Sequence, residues 1–383
     1  MSRSQRVFFA LLMLIACALS SVVAGYGYEL YQLRWNQPLG PAIAMPTSTW
    51  VLPATWTATP RGAETSPELT QPLPASATPV PVLHCDGPPV MFILGIGTDS
   101  RSNSYKYGLA DVIRIIRVDF INIKVTVLEL PRDLWVEIPD IADNINGQDH
   151  EKLNQAYLYG NPGFGYYEGP GEGAGLLART LALNFGLTPE RYVAVNMRTF
   201  EKIVDALGGV EVYLPDGLDG RTAEDRSARL VFPAGTQVLD GEQALTLARI
   251  RNEGVFERAN MQNLIMCSLH EKLTSPEVVV RIPALINSFQ GAVKTDLTPE
   301  QISQLACVAT KLKPEDITFV SFPQKLFKGT RIYDPVFDNN VFIWEVDFAV
   351  LRSHVMQFML GAWPVSETIG EEEPASDTTF TCP

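Results

Sequence analysis

The sequence predicts an α/β fold, an α+β sandwich in which a central mixed β-sheet is flanked by helices, preceded by one N-terminal transmembrane helix. Three observations predict it. An uncharged apolar run extends from about Val7 to Tyr28, and a Pro- and Thr-rich stretch follows. From residue 89, apolar strand-like runs alternate with amphipathic helical ones, the pattern of helices packed on a sheet.

The apolar run is long enough to cross a hydrocarbon core as a helix. Arg3 and Arg6 precede it, which places residues 1–6 as a cytoplasmic stub and everything after the span outside. Two other readings stand beside this one. "LIAC", ending at Cys17, has the look of a lipoprotein signal, and a cleaved secretory signal would have a shorter apolar core. The run continues past Cys17 through "ALSSVVAG", which a lipid-anchored chain would not need, so a single-pass anchor over 7–28 is the expectation. All three put the remainder outside the cytoplasm.

Residues 29–88 form the spacer. "VLPATWTATPRGAETSPELTQPLPASATPVPV" holds no period of 3.6 or 2, and its prolines block helix and ladder hydrogen bonds alike. A stiff, extended tether is expected. At the other end, residues 364–383 make an acidic tail. Beyond Cys17 the chain has Cys85, Cys267, Cys307 and Cys382, which permit three pairings in an oxidising compartment. The expectation is Cys85 with Cys382, tying the ends of the domain, and Cys267 with Cys307, tying two helices; free buried thiols are the alternative. No cysteine and histidine cluster has zinc-ligand spacing, and His84, His150, His270 and His354 form no triad set.

"VMFILGIGTDSR" reads as a buried strand with Asp99 just past its carboxyl end. "DVIRIIRVD" follows as a second strand opened by Asp111, and "KVTVLELPRDLWVEI" as a third, interrupted by Pro131 before Arg132. If the second and third form a hairpin centred near residues 121 and 122, Asp111 and Arg132 are equidistant from that centre and meet at one end of the sheet. A helix is expected over about Gly173 to Phe185, a strand in "RYVAVN", an amphipathic helix in "TFEKIVDALGG" stopped by Gly208 and Gly209, and a strand in "VEVYL". In "DGEQALTLARIR", Asp240 and Gln243 have capping-box spacing, and the helix is spent by Ala248. Asn196 and Asp205 are expected to satisfy backbone groups at element ends, and "GFGYYEG" to pack as a loop on the domain.

The segment "LARIRNEGVFERANMQ" carries three arginines close together in a chain of formal net charge −13. Arg249 and Arg251 point to one side if the chain is extended there, with Ile250 toward the core. A second helix runs from Phe256 to about Leu273, with Arg258 and Gln262 on one face near its N-terminal end and Leu264, Ile265, Leu269 and Leu273 burying the other. These arginines could simply pair with Glu253 and Glu257. Taken with Asp99 and Asp111, however, they outline a phosphoryl-transfer site: two carboxylates suit Mg²⁺, and several arginines suit phosphate oxygens. Neither glycine motif of a P-loop or a kinase is present.

At this point the residues match a family. From about Val90 to Glu271 the chain resembles the LytR-CpsA-Psr family of cell-wall glycopolymer ligases, through "LGIGTDSR", "LADVIRIIRVD", "LELPRDLWVEIP", "KLNQAYLYG", "RYVAVNMRTFEKIVDALGGVEV", "FPAGTQVLDGEQALTLARIR" and "ERANMQ" in that order. The resemblance implies a catalytic domain over 89–275, with 276–363 as the C-terminal part of the globular region. It implies transfer of a glycan-1-phosphate from a polyprenyl pyrophosphate carrier to a peptidoglycan hydroxyl. In the family's pattern Asp99 and Asp111 serve Mg²⁺, and Arg132, Arg249, Arg251, Arg258 and Gln262 grip the pyrophosphate. Asp99 is also the candidate for assisting deprotonation of the acceptor, and Asp99, Asp111 and Arg132 together are the expected catalytic set. Lys152 and Asn154 either line the site or orient its loop. The expected partners are the lipid-linked glycan, peptidoglycan and the membrane, with no nucleic acid, since a six-residue stub leaves no room for a DNA-binding module.

Two positions depart from the pattern. Leu109 stands where the family usually has arginine, two residues before the second aspartate, and Met261 stands where arginine tends to precede the final glutamine. Each lost charge-assisted hydrogen bond is worth about 1.5–3 kcal/mol. Arg101 or Lys106 are the nearby candidates to compensate. The alternatives to a ligase are therefore a non-catalytic receptor for lipid-linked glycan and a pyrophosphatase that uses water as acceptor.

Overall fold

The computed structural model describes residues 13, 17, 19–26, 28–29, 37–43, 82–100, 105–250, 255–281, 292–363 and 379–382. Among them no helix is long and apolar enough to cross a membrane. Of the expected span 7–28, residues 13, 17, 19–26 and 28 are described, and these are helical. Most of the expected spacer lies outside the described residues. Residues 37–43 are described and lie on the domain: the Leu39 amide donates to the Leu297 carbonyl at 3.3 Å, and the Ile43 amide to Asp296 Oδ2 at 3.2 Å.

Three strands form the centre of the sheet: β1 (Val90–Thr98), β2 (Ala110–Asp119) and β3 (Lys124–Glu129). β2 pairs antiparallel with both neighbours, and its register with β3 runs Arg114↔Glu129 to Asp119↔Lys124. A short ribbon of β4 (Trp135–Glu137) and β5 (His150–Lys152) follows, then helices α1 (Leu153–Gly160) and α2 (Glu172–Phe185). β6 (Arg191–Asn196) returns parallel to β1. Helix α3 (Met197–Ala206) comes next; Asn196 caps it by accepting from the Thr199 amide at 2.8 Å. Gly208 and Gly209 have φ of 79° and 92°, the left-handed region that ends such a helix at little cost in glycine.

The ribbon of β7 (Val210–Leu214) and β10 (Gly235–Leu239) follows, with β8 (Leu218–Asp219) and β9 (Val231–Phe232) paired between them. Helix α4 (Gly241–Leu247) opens on the Asp240–Gln243 capping box and has Ala248 as its C-cap. Asp205 Oδ1 accepts the Gly241 amide at 2.8 Å, which satisfies an orphan donor at that helix end. Helix α5 spans Val255–Thr274.

The C-terminal part completes the same sheet rather than forming a layer of its own. β11 (Lys294–Thr295) adds antiparallel to β6, and β12 (Ile317–Val320) adds parallel to β3. Between them runs α6 (Pro299–Lys311), which has a Thr298–Gln301 capping box. The hairpin of β13 (Lys328–Asp334) and β14 (Asn339–Glu345), helix α7 (Phe348–Met359) and the edge strand β15 (Thr379–Thr381) follow. Among the described residues the sheet has seven strands in the order β11-β6-β1-β2-β3-β12-β15.

Strand alternation sends side chains to both faces, and both are covered. On one face Leu94, Ile96, Ile113, Ile115 and Leu128 pack with α1, α2 and α7 through Ala156, Leu177, Leu181 and Val355. On the other, Met91, Ile93 and Val118 meet Val308 of α6, and Val127, Ile317 and Phe319 meet Cys267 of α5. The far side of α5 closes a second core, where Leu264, Ile265 and Leu269 pack against α3, α4 and the β7–β10 ribbon. Leu273, expected to join them, is 42% exposed because α5 runs on past the core at its C-terminal end.

The disulfides correct the expected pairing. Cys85 bonds Cys307, and Cys267 bonds Cys382. Cys85 sits in the turn before β1, on the sheet face that α6 covers, so its neighbour is Cys307 of α6. Cys267 faces the other half of that side, where β15 brings Cys382. The tail is thus fastened to α5 and not to the start of the domain.

Candidate functional site

The site lies at one end of the sheet, where β1 finishes and β2 begins. Asp99 follows the last residue of β1 and is locked to the residue two before Asp111. Its amide donates to the Leu109 carbonyl at 3.1 Å, and its Oδ1 accepts the Leu109 amide at 2.7 Å. Both bonds are to backbone, so the side chain at 109 is not needed to hold Asp99. Tyr105 pins this segment from below. It is fully buried, and its hydroxyl accepts the Asn196 amide at 3.0 Å and donates to the Ala292 carbonyl. Gly108 permits the close approach, since a Cβ there would meet Thr98 Oγ1 at 2.1 Å.

Asp111 pairs with Arg132 Nη1 in the ion pair that the hairpin count anticipates. Arg132 Nε lies 3.3 Å from Asp133 Oδ2, and Asp133 Oδ1 lies 3.1 Å from Lys152 Nζ. Charges thus alternate from Asp111 through Arg132 and Asp133 to Lys152. Burial opposes the charge on Arg132, but Asp111 and Asp133 outweigh it, and its pKa is raised. Asn154 takes part through its backbone: its amide donates to the Arg132 carbonyl at 3.1 Å, so the "KLNQAY" piece orients the arginine's loop.

Asp99 behaves differently from an ordinary aspartate. Burial is the main influence and pushes its pKa up against the Leu109 amide; the nearby Asp111 charge raises it further, and Arg132 draws it down. The net direction is upward. The effect of the Asp111 charge on Asp99 also shows that the two carboxylates share one neighbourhood.

Helix α5 supplies the remaining groups. Arg258, 5% exposed, donates from Nη2 to the Asp111 carbonyl at 3.4 Å. Gln262, one turn on, donates from Nε2 to the Ala248 carbonyl at 3.1 Å. Arg249, immediately after that carbonyl, is exposed, and Ile250 is buried in the second core. Arg251 lies outside the described residues, as does Arg101. Asp99, Asp111, Arg132, Arg258 and Gln262 are therefore brought to one region, with Arg249 joined to it through Ala248. Lys106 is exposed, and Met261 packs against the second core.

Two residues at the site escape the motif reading. Arg114 of β2 faces Glu129 of β3 in register, at 3.5 Å between Nη2 and Oε2, and also donates to Gln262 Oε1 at 3.3 Å. The signal was available: the hairpin centre that pairs residue 111 with 132 also pairs 114 with 129. Elsewhere, the aromatic loop packs on the domain, with Phe164 edge-on to Tyr107, Tyr159 and Tyr166.

Among the described residues no group of three or more histidine, cysteine, aspartate or glutamate side chains could hold a metal ion. Asp99 and Asp111 are two. That set suits Mg²⁺ in the manner in which it usually binds, through one or two carboxylates with waters and substrate phosphates as the other ligands.

Comparison with known proteins decides the family. A model described as the LytR_cpsA_psr family matches residues 69–349. The chain belongs to that family. The regulatory protein MsrR of Staphylococcus aureus is 28% identical over 237 residues, a match covering 61% of this chain and 64% of MsrR. The polyisoprenyl-teichoic acid–peptidoglycan teichoic acid transferase TagU of Enterococcus faecalis is 28% identical over 225 residues, covering 56% of this chain and 64% of TagU. The matches thus span less than two thirds of these relatives' own lengths. Solved structures agree in fold: the crystal structure of Bacillus subtilis TagV has a TM-score of 0.53 at 22% identity, covering 71% of this chain and 97% of the crystallised one. The structure of TagT bound to LIIa-WTA has a TM-score of 0.52 at 20% identity, covering 71% of this chain and 91% of the chain in that structure. In this LytR_cpsA_psr protein Asp99 and Asp111 stand at the β1 and β2 ends, Arg132 follows β3, Arg249 follows the C-cap of α4, and Arg258 lies on α5.

Proposed function

We propose that the chain is a membrane-anchored phosphotransferase that moves a glycan-1-phosphate from a polyprenyl pyrophosphate carrier to a peptidoglycan hydroxyl, with Mg²⁺ assistance. The observation that carries this reading is the meeting of Asp111, Arg132 and Arg258 beside Asp99. Relatives described as teichoic acid transferases to peptidoglycan support the same reaction class. The anchor at 7–28 would keep the site outside the cytoplasm, near a lipid-borne substrate, with lipidation at Cys17 as the alternative attachment.

In the proposed reaction the acceptor hydroxyl attacks the phosphorus that bears the glycan. A new P–O bond forms to the acceptor, the bond to the bridging oxygen breaks, and polyprenyl phosphate leaves with the electron pair. The acceptor's proton would pass to the Asp99 carboxylate, which stands beside Asp111 and Arg132. Arg132, Arg249, Arg251, Arg258 and Gln262 would neutralise and orient the diphosphate. Such charge stabilisation supplies most of the catalysis of phosphoryl transfer. Asp99 and Asp111 would hold Mg²⁺, which would supply further positive charge at the phosphate oxygens when bound. Arg132 holds the Asp111 carboxylate in place for that task.

The test uses the full chain with a polyprenyl-pyrophosphate-linked sugar, a peptidoglycan oligomer and Mg²⁺. Release of polyprenyl phosphate that requires both acceptor and metal supports transfer. Release without acceptor would mean a pyrophosphatase, and binding without release would mean a receptor.

A further inference from the structure

We propose that Arg114 is a positioning residue for the anion site, acting through Gln262 on the arginine-bearing segment that follows α4. The inference rests on the phosphotransferase reading and adds to it a group that neither the motifs nor the relatives assign.

Arg114 lies in the middle of β2, 6% exposed, on the sheet face that α5 covers. Its guanidinium sits 5.6 Å from the centre of the Phe319 ring. Burial draws its pKa down, and Glu129 opposes that. A buried ion pair of this kind is weak evidence for stability, because well-packed apolar residues of similar volume often serve as well. What distinguishes this one is the third member.

Gln262 has one accepting and one donating end. Arginine only donates and a backbone carbonyl only accepts. With Arg114 Nη2 3.3 Å from Gln262 Oε1, the amide nitrogen must face the other way, and it reaches the Ala248 carbonyl at 3.1 Å. The carboxamide has one workable orientation, and Arg114 sets it. Ala248 is the C-cap of α4, and Arg249 is the next residue. One turn before Gln262, Arg258 reaches the Asp111 carbonyl, and Glu129 lies in the field of both Arg114 and Arg258. Arg114 thereby ties the end of α4 to α5, and so sets Arg249 relative to Arg258.

The test is a double-mutant cycle read by calorimetric binding of geranylgeranyl pyrophosphate with Mg²⁺ to the full chain. Arg114→Met is expected to weaken binding about tenfold, the scale of one lost charged hydrogen bond. In that background Arg249→Ala should cost severalfold less than it does alone. Arg114→Lys, which keeps a donor, should recover part of the affinity. Glu129→Gln combined with Arg114→Met removes the buried carboxylate left behind, so that an unfolding midpoint near the wild type's keeps the comparison valid. Additive effects of Arg114→Met and Arg249→Ala, or an unchanged Kd for Arg114→Met, would overturn the positioning role alone. A wild-type chain that binds no pyrophosphate would overturn the phosphotransferase reading, and this inference with it.

Discussion

Asp111 and Arg132 stand at equal distances from the β2–β3 turn and pair across the end of the sheet. The pair fixes both members without burying either: their side chains are 22% and 18% exposed. A carboxylate held this way keeps room for a cation, and an arginine held this way keeps donors for a phosphate. Arg132→Ala should therefore lower kcat by about 10²–10³-fold, the usual cost of removing one preorganised charge-stabilising donor. Arg132→Lys should not restore it, because a single ammonium cannot reproduce the planar fork that reaches Asp111 and Asp133 together. Steady-state kinetics of the two variants check this.

The raised pKa of Asp99 depends on Asp111. Burial is the largest cause and stays in the variant, but Asp111→Asn removes a like charge and leaves Arg132 free to act on Asp99. Both changes act downward. Carbon NMR titration should place the Asp99 carboxyl above the ordinary 3.8 in the wild type and lower in Asp111→Asn.

These two residues show how much of the site was legible beforehand. Counting from a hairpin centre needs only the register rule, and it places Asp111 against Arg132. The Asp240–Gln243 cap and the stop at Gly208 and Gly209 were equally local. Arg114 and Glu129 obey the same count but look like solvent-facing charges of an alternating strand, because nothing local says that α5 will cover that face. The disulfides were illegible for the same reason. Pairing Cys85 with Cys307, and Cys267 with Cys382, depends on which helix covers which half of the sheet.

A buried acid sits away from the proposed phosphate site. Glu151 of β5 is fully buried against Asp334 of the β13–β14 hairpin, and burial first, then the Asp334 charge, pushes its pKa up to about 8. Among the described residues no donor reaches either Glu151 oxygen. An acid raised in the folded state favours the protonated form there, so this contribution to stability is whole below about 4.5 and is lost as pH rises toward 8. Glu151→Gln should stabilise the protein by about 1–3 kcal/mol at pH 8.5, the cost of a buried polar group left unsatisfied, and have little effect at pH 4.5. Urea unfolding at the two pH values measures it.

The Cys267–Cys382 bridge closes a loop of 115 residues and fastens the tail to the helix that carries Arg258 and Gln262. Replacing both cysteines by serine should cost about 2–4 kcal/mol of stability, the usual worth of a disulfide closing a long loop. Denaturant unfolding of that variant, with Cys85–Cys307 intact, gives the value directly.

The most direct test of the central claim is the phosphorus NMR spectrum of the peptidoglycan product after incubation with lipid-linked glycan and Mg²⁺. The account predicts a phosphodiester joining glycan to peptidoglycan, formed by the wild-type chain and absent with Asp111→Ala or Arg258→Ala. Inorganic or glycan monophosphate in its place, or a phosphodiester that survives both substitutions, would contradict it.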